Sequence, residues 1–98
     1  MKTTAEILDI LRDFKAHYAE KYGIITLGLF GSAARGEHDE TSDIDIYVET
    51  ETPNPFLIVR MKAYLEKLLG CSVDVIRAHK NMNAFLKQQI EKDGIHVF

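Results

Sequence analysis

An α/β (α+β) fold, with a single mixed sheet and helices mainly on one face, is predicted by three features of this 98-residue sequence. A long amphipathic segment occupies residues 4–22. Four short apolar runs of strand length follow, at 24–30, 43–49, 71–76 and 95–98. Two further helical stripes, at 56–69 and 81–92, separate the last three runs. The order helix, strand, strand, helix, strand, helix, strand suits one sheet with helices packed chiefly against one side. At this length a single domain spanning 1–98 is expected.

Each element has a local cause. Thr3 with Glu6 three residues later fits a capping box, in which each side chain satisfies a free backbone N–H. Ile7, Leu11, Phe14 and Tyr18 then recur at helical spacing, and Gly23 can end the helix in a left-handed conformation. Ile24–Phe30 reads as a strand buried on both faces; Gly28 inside it marks a bulge or a close backbone approach. Gly31-Ser32 is a turn, Ala33-Ala34-Arg35 one helical turn ended by Gly36, and 37–41 an acidic loop. From Asp43 to Glu49 the chain alternates, with Ile44, Ile46 and Val48 on one side and Asp43, Asp45, Tyr47 and Glu49 on the other. Two prolines and Asn54 make 50–55 a loop. Leu57, Met61, Tyr64 and Leu68 form the inner stripe of a helix over 56–69, closed by Gly70. Cys71–Ile76 is a third strand containing Asp74. Met82, Phe85, Leu86 and Ile90 form the inner face of a helix over 81–92, and Ile95–Phe98 is a short last strand.

Composition narrows the function classes. Lys and Arg number 12 against 15 Asp and Glu, for a net charge of -3. No basic field of the kind that general nucleic-acid binding uses is present. One cysteine, Cys71, allows no intrachain disulfide and reads as a small buried hydrophobe. The start of the chain lacks the apolar core of a signal peptide, and no apolar run reaches the ~20 residues needed to cross a bilayer. A cytoplasmic protein is expected. His17, His38, His79 and His96 show no mutual metal-ligand spacing and read as surface or edge residues.

The chemistry concentrates in one stretch, where Gly31-Ser32 is followed by Asp43-Ile44-Asp45 in the pattern G-S-x10-D-x-D. A strand that ends at Gly-Ser and turns into a helix gathers free N–H donors suited to phosphate, with Ser32 Oγ adding another contact. By itself this is equally an ordinary turn with Ser32 as the N-cap. Two carboxylates on one strand face, ~5–7 Å apart, repel by roughly 2–3 kcal/mol at an effective dielectric near 20. A hard divalent cation, Mg²⁺ or Mn²⁺, removes that cost. Asp74, a charge within an apolar strand, is the natural third ligand if its strand lies beside the second; otherwise it is a strand-end residue facing water. Three carboxylates and a triphosphate suit two metal ions gripping the attacking and leaving oxygens, with Asp74 able to help deprotonate the attacking hydroxyl. Arg35 contacts phosphate or pairs with Glu37 or Asp39. Ser42 caps or orients the Asp43 carboxylate, or is a plain loop serine.

Gly31-Ser32-Ala33-Ala34-Arg35-Gly36 through Ser42-Asp43-Ile44-Asp45, with Val73-Asp74-Val75 downstream, resembles the signature of the DNA polymerase β-like nucleotidyltransferases. The short chain is most similar to the minimal nucleotidyltransferases, or MNT proteins. The resemblance implies Mg²⁺-dependent nucleotide transfer with pyrophosphate leaving. By position, Asp43, Asp45 and Asp74 would hold the metals, and Gly31 and Ser32 the triphosphate; Arg35 and Ser42, from their place beside these residues, are expected with them at the nucleotide. It also implies a partner, because MNT proteins pair with HEPN RNase toxins as antitoxins and can transfer AMP from ATP to a toxin tyrosine. Few residues remain after the metal-site strands and their helices to shape an acceptor pocket, so the acceptor surface is expected from another protein or an oligomer. Two alternatives stand beside this reading. One is a non-catalytic antitoxin that blocks its partner by binding; the other is a small-molecule nucleotidyltransferase.

Overall fold

The computed structural model describes residues 2–78 and 84–97 and carries a four-stranded mixed sheet with helices. The elements are α1 (Thr4–Tyr22), β1 (Ile24–Phe30), α2 (Gly31–Arg35), β2 (Ile44–Thr50), α3 (Pro55–Leu69), β3 (Val73–Arg77), α4 (Ala84–Asp93) and β4 (Ile95–His96). Strands lie in the order β3-β2-β1-β4. The β1–β2 and β1–β4 pairs are antiparallel, while β2 and β3, joined through α3, run parallel. A helical crossover is what a parallel pair requires, so the topology follows from the order of elements.

Two helices close one face. Ile7, Leu11 and Phe14 of α1, with Leu57, Met61, Leu65 and Leu69 of α3, bury against Leu27, Leu29, Ile44, Ile46, Val48 and Val73. The capping box is present in full: Glu6 N donates to Thr3 Oγ1, and Thr3 N donates to Glu6 Oε1. Gly23 ends α1 at φ 65°. The inner stripe of α3 departs from expectation, because Leu65 and Leu69 are buried where Tyr64 and Leu68 were expected. Both choices are apolar, so periodicity alone cannot separate them. Packing selects the i+4 series 57, 61, 65, 69, and Tyr64 falls at the rim against Phe14 and Tyr18, each ring 5.6 Å away. Pro55 is also the first residue of α3 rather than loop. Asn54 caps it by accepting from Leu57 N, and proline fits the first helical position because its missing N–H would have no partner there.

Elsewhere the differences are local. The irregularity in β1 lies between Ile24 and Thr26 rather than at Gly28, and Ile25 there is exposed, so only the end of the strand is buried on both faces. The expected start of the last helix, 81–83, lies outside the described residues, as do His79 and Phe98. Within α4 Phe85 is exposed, while Leu86 and Ile90 are half-buried. No described helix is long and apolar enough to cross a membrane.

Gly28 is a close approach. The Tyr47 ring lies where a Cβ would stand, so alanine collides with the ring carbons and hydroxyl. Tyr47 is itself buried, its ring 6.1 Å from that of Phe30 and its hydroxyl held by His96. Gly28→Ala is expected to lower stability by about 1–3 kcal/mol, the usual cost of overpacking. The urea midpoint measures it, and a loss below about 0.5 kcal/mol would show that the ring yields freely.

Candidate active site

The face of the sheet turned away from α1 and α3 carries the acidic residues. Registers place them in rows: Phe30, Asp45 and Asp74 lie side by side across β1, β2 and β3, and Gly28, Tyr47 and Ile76 form the next row. The parallel pairing puts Asp45 directly beside Asp74, with strand spacing of about 4.8 Å. Asp43 stands immediately before β2 and is exposed, as is Asp74; Asp45 is half-buried. Thus the three carboxylates share one end of one face.

Their electrostatics follow from that crowding. Asp45 is raised above the ordinary carboxylate range, first by burial and then by the Asp74 and Asp43 charges, with Arg35 opposing. The site therefore has unbalanced negative charge on hard oxygen donors, which fits a divalent cation in chemistry. As the side chains stand, no group of three or more His, Cys, Asp or Glu among the described residues encloses a metal position.

Beside them lies the Gly31 turn, where the sequence leads one to expect phosphate. Phe30 is extended and precedes α2, and no side chain caps that helix, so its first N–H groups keep no side-chain partner. Ser32 is the second residue of α2 and not its cap. Gly31 has φ 72°, and a Cβ there would strike Asp45 Oδ2. Glycine is thus required twice over: for the left-handed backbone and to let the Asp45 carboxylate rest against the turn. This contact joins the Gly31 turn to the acidic row.

A sequence profile of the family described as Nucleotidyltransferase domain matches residues 9–97. The chain belongs to that family. This nucleotidyltransferase is 45% identical over 98 residues to a Methanocaldococcus jannaschii chain provisionally named protein adenylyltransferase MJ0128, covering 99% of this chain and 100% of that one. It is 40% identical over 93 residues to Protein adenylyltransferase MntA of Thermococcus cleftensis, covering 94% and 89% of the two chains. Its fold also matches a solved complex of tri-AMPylated Shewanella oneidensis HEPN toxin with MNT antitoxin, at TM-score 0.65 and 19% identity over 93% of this chain and 71% of that one.

The remaining expected residues are otherwise engaged in the nucleotidyltransferase. Arg35 pairs with Glu37 (3.0 Å) and with Asp93 (2.7 Å), and Asp39 is not its partner. Asp39 is held by Thr41 and by Ser42, whose Oγ donates to it at 3.2 Å. Ser42 therefore builds the loop before Asp43, and its recorded bonds go to Asp39 rather than to the Asp43 carboxylate. His38, expected as a surface or edge residue, is buried, with its ring Nε2 2.7 Å from the Lys2 carbonyl oxygen. It lines a cavity of about 350 Å³ with Ile44, Leu69 and Cys71. That cavity opens on the helix-covered side of Ile44, whereas Asp45 points to the other face, so it does not serve the acidic row.

One contact beneath the site has only a faint sequence signal. Tyr47 Oη lies 2.8 Å from His96 Nδ1, their rings crossing at 89°. Burial pushes the Tyr47 hydroxyl up to about 12, so it stays protonated at neutral pH. The pairing of Gly28 with both Tyr47 and His96 explains it: the ring reaches over the one residue in the row without a side chain. Tyr47 is buried packing, held between Phe30 and His96. The Asp43–Glu49 alternation put it on the acidic face, and only the partner in β4 could not be read.

Proposed function

We propose that this nucleotidyltransferase moves AMP from ATP to a hydroxyl, probed first as tyrosine, on a HEPN-type RNase partner, and so acts as its antitoxin. The register that sets Asp45 beside Asp74, against the Gly31 turn, is the observation that carries the reading. The relatives' names and the toxin complex supply the acceptor class. ATP, Mg²⁺ and a cytoplasmic setting belong to the same proposal.

In this reading Asp43, Asp45 and Asp74 hold Mg²⁺, two ions with Mn²⁺ able to substitute, which supply charge stabilisation for the in-line displacement. The Gly31 and Ser32 N–H groups and Ser32 Oγ hold the triphosphate. The acceptor oxygen forms a bond to the α-phosphorus as the bond to the bridging oxygen breaks and pyrophosphate leaves. The hydroxyl proton passes to Asp74 and then to water. Exposure divides the roles: Asp45, half-buried against the turn, is set for the nucleotide, while exposed Asp74 can meet an acceptor arriving from outside. Tyr47, Phe30 and His96 keep the floor of the row rigid.

Neutralisation separates catalysis from simple binding. Cells carrying the partner RNase should grow with the wild-type chain and fail to grow with Asp43→Asn/Asp45→Asn at equal expression. Full rescue by the double variant would instead establish a binding antitoxin.

A further inference from the structure

Arg35 is the one residue of the phosphate turn whose charge opposes the acidic row, and its placement is unusual. It lies four residues after Gly31, one helical turn away, and Gly31 abuts the Asp45 carboxylate. An arginine side chain spans that distance. Its field reaches Asp45. Yet the ion pairs it makes are with Glu37 and Asp93.

We propose that Asp93 is a positioning residue: it holds the Arg35 guanidinium at the end of α4 and so keeps it off Asp45, leaving that carboxylate free for a divalent cation. This rests on the cation reading of the acidic row given above.

Three observations support it. First, the 2.7 Å bond to Asp93 is the shorter of the two, and the Asp93 side chain is 15% exposed against 66% for Glu37. A sheltered, short, charge-assisted bond outweighs an exposed one. Second, Asp93 is fixed relative to the sheet. Gly94 N donates to Ile90 O in a turn too tight for a Cβ, and the next residue, Ile95, pairs with Leu29, one residue before the Phe30–Asp45 row. Third, Asp93 is the last residue of α4, where the negative end of the helix dipole disfavours a carboxylate. The Arg35 partner offsets that cost. Without it, the guanidinium is free to turn toward Asp45, whose charge it already faces, and pairing there would compete with a metal ion.

The test is Mn²⁺ binding to the nucleotide-free, full-length chain, followed by electron paramagnetic resonance. Asp93→Asn should weaken binding roughly tenfold, the low end of what losing a supporting residue costs a metal site. Glu37→Gln removes the same charge from the exposed partner and should stay within about twofold of wild type, the scale of a screened surface charge. Asp93→Glu, and Arg35→Gln combined with Asp93→Asn, should both return to within about twofold. The proposal is overturned if Asp93→Asn binds as well as Glu37→Gln, or if the combined variant stays as weak as Asp93→Asn. Wild-type binding that Asp45→Asn leaves unchanged would instead remove the cation reading itself, and the proposal with it.

Discussion

Asp45→Asn should make the ligand-free chain more stable while removing its transfer activity. The sign follows from the raised Asp45 carboxyl. Burial and the neighbouring Asp74 and Asp43 charges disfavour its ionised form in the folded protein. The folded state therefore binds this proton more tightly than the unfolded state, and wild-type stability falls as pH rises through the raised folded value. Asn carries no such charge. At neutral pH the variant should gain, after solvent screening at this half-buried position, no more than about 1 kcal/mol, a few degrees in Tm for a domain of this size. The gain should vanish on acidification toward the ordinary carboxylate value of 3.8, where wild-type Asp45 is itself protonated. Added Mg²⁺ should stabilise the wild type and not the variant. Transfer should fall by about three orders of magnitude, equivalent to ~4 kcal/mol of lost transition-state stabilisation. Scanning calorimetry across pH and a labelled-ATP transfer assay read the two halves. A destabilised Asp45→Asn would mean that the carboxylate is satisfied without a cation.

Gly31→Ala should damage the same contact from the other side. Alanine at φ 72° costs about 1–2 kcal/mol from backbone strain alone. The added Cβ also drives into Asp45 Oδ2, so the carboxylate or the turn must shift. A displacement of about 1 Å near reacting groups can cost 10²-fold in rate, and a loss of at least that size is expected in transfer. The two components separate in a double-mutant cycle. With Asp45→Ala as background, the collision disappears and Gly31→Ala should cost only its backbone strain. Equal losses in both backgrounds would show that the turn and the carboxylate do not touch.

Much of this site could be read directly from residues. The alternation of Ile44, Ile46 and Val48 with Asp45, Tyr47 and Glu49 reports which face each occupies, because strand period is two and one face must be apolar. The helix between β2 and β3 made a parallel neighbour natural, and with it Asp45 and Asp74 became adjacent. What stayed hidden depends on partners distant in sequence. Arg35 and Asp93 are 58 positions apart, and local reasoning offered Arg35 only the nearer Glu37 and Asp39. Tyr47 and His96 are 49 apart and meet only because Gly28 lies between them. In α3, Tyr64 and Leu65 compete for one inner position, and only tertiary packing, which buries Leu65 and leaves Tyr64 at the rim against Phe14 and Tyr18, separates them. His38 was misjudged because a lone polar residue in an acidic loop gives no sign that the N-terminal backbone folds over it.

In the function proposed, the acidic row and the Gly31 turn form the nucleotide half of a transfer reaction whose acceptor is another protein. Intact-mass spectrometry of the partner RNase tests it most directly, after incubation with this chain, ATP and Mg²⁺. The expected result is a gain of one or more AMP units on a partner hydroxyl, absent with Asp43→Asn/Asp45→Asn. A partner that is fully neutralised by the wild-type chain yet keeps its unmodified mass would contradict it.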